Sequence, residues 1–159
     1  MKRLLFFCAL LIIFTLKSSY SEANEDLEEL TFNSLLNAID DFDNDKLADI
    51  LEEQFFNTDL LSKALIYTAR KNNRSNIHAT QQIFIELLIA GADSNYQEEE
   101  TLDSVLIELV KNYYTNPILI DTFREYGRPF LTLKNNRGEN AADIANRLHK
   151  KNLFDHLVV

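Results

Sequence analysis

The sequence predicts an all-α fold of stacked helix pairs, on three observations. Apolar residues recur at helical spacing, as in Leu47, Ile50 and Leu51 or in Ile83, Leu87 and Leu88, and no useful length alternates as a strand would. Four similar stretches open successive segments: "NSLLNAIDD" from Asn33, "KALIYTARK" from Lys63, "SVLIELVKN" from Ser104 and "NAADIANRL" from Asn140. Their third positions, Leu35, Leu65, Leu106 and Ala142, lie 30, 41 and 36 residues apart. At that period a helix pair is too small to bury its own apolar face and must stack on its neighbours. Third, each opening leads into a second helical segment: "KLADILEEQ", "QIFIELLIAG", "PILIDTFREYG" and "NLFDHLVV".

Each element has a readable start or stop. Asn33 or Ser34, Ser62, Ser104 and Asn140 stand where a side-chain oxygen caps an N-terminus. The run "IFIELLIAGADSNYQ" stops at Gly91, which takes φ > 0 without strain. Ala92 is small enough for close stacking, and Asp93 and Asn95 are turn residues that bond to nearby backbone. "YQEEET" then forms an exposed tip. Gly127 is expected to end its helix as Gly91 does, and Gly138 to open the final segment.

These stretches resemble the ankyrin-repeat family, whose units pass from a T-P-L-H-x-A-A helix through I-V-x-L-L-L to G-A-D-x-N and a hairpin loop. "IFIELLIAGADSN" matches the second half of that unit, and "NRGENAADIA" matches its opening, with Asn140 for Thr and Asp143 for His. "ILIDTFREYGRPFLTLKNNRG" keeps the closing glycine at Gly127. The match is strongest over 83–97 and 116–148. The first unit lacks the closing glycine, the T-P-L-H motif is eroded in every unit, and "RKNNRSNIHATQ" lengthens one turn. The resemblance implies an ankyrin-like solenoid of about four helix-turn-helix units (30–59, 60–97, 98–135 and 136–159), the first and last acting as caps, within a domain over 24–159. Three units behind a divergent N-terminal cap is the competing count.

Ahead of that domain, Lys2 and Arg3 precede the apolar run Leu4–Leu16, which is too short to span a membrane and reads as a secretory signal peptide over 1–23. Cleavage is expected after Ala23, with Ser21 as the alternative. Cys8, the one cysteine, falls inside the leader, so the expected mature chain is stabilised by packing and not by disulfides. The expected location is periplasmic or secreted, with no membrane attachment after cleavage.

The net charge of −9 is unevenly placed. Residues 24–59 carry 12 acidic side chains against Lys46 alone, whereas 60–159 carry 12 acidic and 12 basic ones. An acidic end repels nucleic acid and anionic headgroups. Its plainest role is solubility, and its sharper one is docking a basic partner. "DDFDNDKLADILEE" lacks the order of Asp, Gly and Glu in a calcium loop.

No catalytic or cofactor chemistry is legible. His78, His149 and His156 form no i, i+4 pair and no H-E-x-x-H, so no zinc site is expected. There is no G-x-S-x-G, no phosphate-cradling glycine loop and no cysteine nucleophile after the leader. Asp40 and Asp41 are adjacent and diverge on a helix. The sequence reads as a non-enzyme that uses no cofactor.

The resemblance implies a protein-binding surface formed by the inner faces of the first helices and the loop tips. Its variable positions are Asn37, Tyr67, Glu108 and Ile144, flanked by Arg70, Lys71, Lys111 and Arg147. The tips add Tyr96, Glu98, Glu99, Lys134 and Arg137. Tyrosine and arginine are the usual interface anchors, which singles out Tyr67, Tyr96, Arg70 and Arg137. Tyr113 and Tyr114 fall in a loop on the far side from the tips. The expected protein is a monomer until it binds another protein, as an inhibitor, immunity factor or accessory. A secreted effector acting on proteins of another cell is the alternative.

Overall fold

The structure, a computed structural model, describes residues 28–158. The signal peptide, its cleavage point and Cys8 lie outside the described residues. The chain divides into Met1–Ser34 and Leu35–Val159. Within the described residues the secondary structure is helical: α1 runs through 28–41, followed by α2 (Asn44–Glu53), α3 (Thr58–Lys71), α4 (Ile77–Ile89), α5 (Val105–Lys111), α6 (Pro117–Gly127), α7 (Ala141–Arg147) and α8 (Lys151–Phe154). No strand forms among the described residues, where one antiparallel bridge joins Gln97 to Ser104.

Helix starts follow side-chain oxygens. Asp43, Asn57, Ser104 and Asn116 each accept a bond from a first-turn N–H, and α6 adds Pro117 in its first turn. Asn140 and Asp143 form a reciprocal capping box on α7. Two expected caps differ. Asn33 and Ser34 lie inside α1, where the Ser34 hydroxyl donates back to Leu30 O at 3.1 Å. Ser62 lies one turn inside α3 and is fully buried, donating to Thr58 O (2.6 Å) and accepting from Asp93 N (2.8 Å). Asn57 is the true cap, because the helix extends to include Leu60 and Leu61.

The ends of α1, α4, α6 and α7 each use a left-handed residue, which is glycine only at α4. Gly91 has φ +107°, with Ala92 N reaching back to Leu87 O at 3.0 Å. The same backbone closure occurs at Phe42 (φ 53°), where Asp43 N bonds Ala38 O at 3.0 Å, and at His149 (φ 55°), where Lys150 N bonds Ala145 O at 2.9 Å. Helix α1 therefore closes without a glycine, and α2 ends at Gln54 in extended backbone. Gly127 does not repeat Gly91: it stays helical, and Arg128 takes the left-handed position at φ 49°.

Within Leu35–Val159 the helices pack as two rows. One runs α3, α5, α7; the other runs α2, α4, α6, α8. Helices α3 with α4, α5 with α6, and α7 with α8 join the rows. The core follows the repeat: Leu35, Leu65 and Leu106 are buried, as are Ile83, Phe84 and Leu87 of α4 and Leu119, Ile120 and Phe123 of α6. In α7 the buried positions are Ala141, Ile144 and Ala145, and Ala142 is half-buried. Phe84 and Phe123 meet at 5.5 Å between ring centroids, tilted by 59°. Each such ring stabilises the stack by about 1.5–3 kcal/mol through burial.

Candidate protein-binding surface

The first-row helices carry a belt of charge. Tyr67, Arg70 and Lys71 share one face of α3 by their i, i+3, i+4 spacing, and the two cations sit in the last turn, where the helix dipole favours them. Arg70 Nη2 donates to Glu98 (2.8 Å) and Glu108 (3.2 Å), and its Nε lies 3.2 Å from Glu108. Lys111 Nζ donates to Asp103 (2.6 Å) and Glu108 (3.0 Å). Asn135 of the next loop donates to Asp103 at 3.1 Å. On the other side, Asp40 accepts from Tyr67 Oη (2.7 Å) and Lys71 Nζ (2.8 Å), and the Lys71 ammonium lies 4.9 Å from the Tyr67 ring centre. The belt thus crosses α1, α3, α5 and both long loops.

Its electrostatics follow from these partners. The Arg70 guanidinium, with Thr101 helping, holds Glu98 below the usual carboxylate range against a smaller effect of burial. Burial pushes Asp103 up, but Lys111, Asn135 and Thr101 together outweigh it and leave its pKa lowered. Lys71 and Tyr67 lower Asp40 in the same way.

A second device ties the units together through backbone. The Asn112 amide donates to Ala69 O, Arg70 O and Asn72 O at 3.0–3.2 Å, closing the end of α3. Lys150 Nζ does the same for α5, reaching Val110 O (2.6 Å) and Asn112 O (2.9 Å), and burial lowers its pKa. These are orphan carbonyls at helix ends, satisfied from the following unit.

The two long loops register against each other. Asp93 accepts from Asn95 N at 2.8 Å within its turn, whereas Asn95 Oδ1 reaches forward to Phe130 N at 2.7 Å. Gln97 Nε2 donates to Lys134 O (2.9 Å), Asn136 N to Thr101 O (2.9 Å) and Asn136 Nδ2 to Glu100 O (3.1 Å). Gly138, at φ +75°, turns the second loop back over the Asn135 side chain, which accepts from Arg137 N and Glu139 N. Arg147 pairs with Glu139 through Nε (2.6 Å) and Nη2 (3.1 Å).

The structure joins Tyr67 to Lys71, and Arg70, Glu98, Glu108 and Lys111 to one another, and it buries two of the expected binding residues. Asn37, Arg70, Lys71, Glu99, Lys111, Lys134, Arg137 and Arg147 are exposed, and Tyr67, Tyr96 and Glu98 are half-buried. Ile144 is buried at 1 % exposure, so it packs in the core and offers no contact surface. Glu108 is 6 % exposed and serves as the shared anchor of Arg70 and Lys111. Sequence reasoning placed Asn112 beside the inner face and Asn135 in a tip, and missed Asp103 and Lys150. No local signal marked Asn112 and Lys150 as caps, because the carbonyls they meet belong to the preceding unit, 38 to 43 residues back in the chain.

Among the described residues no group of three or more His, Cys, Asp or Glu is placed to hold a metal ion. No helix among them is long and apolar enough to cross a membrane. No protein-family model matches this sequence, and no curated protein does.

Proposed function

We propose that this chain is a non-enzymatic protein–protein interaction module, exported from the cytoplasm, with an ankyrin-like arrangement of about four helix pairs. The observation that carries the reading is the loop-to-loop bonding: Gln97 to Lys134, Asn136 to Thr101 and Glu100, and Asn95 to Phe130. Loops held in register lose little freedom on binding, which is what a preorganised recognition surface requires. The two helix rows, joined pair by pair, support the repeat reading. Such a surface supports a binding role, which we read as that of an inhibitor, immunity factor or accessory to another exported protein.

Fractionation followed by affinity capture of the tagged chain tests this. Mass spectrometry of exported material should find a start at Asn24; exported material retaining 1–23 overturns cleavage there, and a chain confined to the cytoplasmic fraction overturns the export reading. Replacing Tyr67, Tyr96 and Arg137 together by alanine should weaken the captured complex by at least ~2 kcal/mol, since anchors of these types cost more than ~1 kcal/mol each. Asp43, Asp45 and Glu52 changed to their amides form the control. If the amides abolish capture and the alanine triple does not, the acidic end is the docking site and the loop reading fails.

A further inference from the structure

We draw no further inference here: the strongest candidate, the surface groove between the last turn of α3 and the chain after α5 with its exposed edge of Tyr113 and Tyr114, carries nothing, because its cations Arg70, Lys71 and Lys111 are already paired with carboxylates of this chain and nothing in the structure shows what covers it.

Discussion

The Ser94 side chain lies against the Gly127 backbone of the next unit: its hydroxyl donates to Gly127 O at 2.7 Å, and a Cβ placed on Gly127 would fall 2.9 Å from the Ser94 Cβ. Glycine is needed here for proximity and not for its backbone angle, since Arg128 supplies the left-handed turn. Gly127→Ala should therefore destabilise the fold by about 1–3 kcal/mol, the cost of overpacking a tight contact. Urea denaturation checks it, and a midpoint equal to wild type would show that the two units sit further apart.

Gly91 is the opposite case. Nothing lies within 4 Å of a Cβ built there, but its φ of +107° is a conformation that side-chain-bearing residues rarely adopt. Gly91→Val should cost about 1–3 kcal/mol through backbone strain alone. An unaltered thermal melt would remove Gly91 as the obligatory stop of α4.

Acid should loosen the charged belt. Asp40, Glu98 and Asp103 all have lowered pKa values in the folded chain, so the unfolded chain takes up protons first. Their stabilisation is fully present above the unfolded carboxylate pKa of about 4 and is lost as pH falls through the lower folded values. Asp103→Asn should destabilise by about 1–3 kcal/mol at pH 7 by removing the buried carboxylate on which Lys111 and Asn135 converge, Lys111 keeping Glu108 alone, and should flatten the dependence of the urea midpoint on pH between neutrality and strong acid. A variant with the wild-type slope would exclude Asp103 as a contributor.

Lys150 acts as a donor to α5 and not as a surface charge. Lys150→Met keeps the aliphatic stem but leaves the Val110 and Asn112 carbonyls without their donor, at a cost of about 1–3 kcal/mol. Hydrogen exchange at the carboxyl end of α5 should quicken more than at α4. Uniform quickening, or none, would sink the capping role.

Local signals made much of this legible. Helix α6 begins at an Asn-Pro start and ends at a glycine, and α7 begins at Asn140, all within a few residues of chain. Contacts made across long separations were not legible. The Arg70 partners Glu98 and Glu108 lie 28 and 38 residues away, and no local pattern announces them. Ser62 was misread because a serine before an apolar run looks like a cap, whereas its hydroxyl is occupied inside α3 and against Asp93. Ile144 was misplaced because a motif position was carried over by count, although an isoleucine between Ala141 and Ala145 fits a core stripe better. Phe42 and His149 close helices at φ above +50°, where only glycine would have been anticipated.

The capping by Asn112 and Lys150 gives the molecule a direction in time. A ribosome delivers α3 well before residue 112 and α5 well before residue 150, yet each helix waits for that later side chain to occupy its last carbonyls. The end of each helix therefore stays open until the following unit has been made, and closure runs along the chain one unit behind synthesis, α3 before α5.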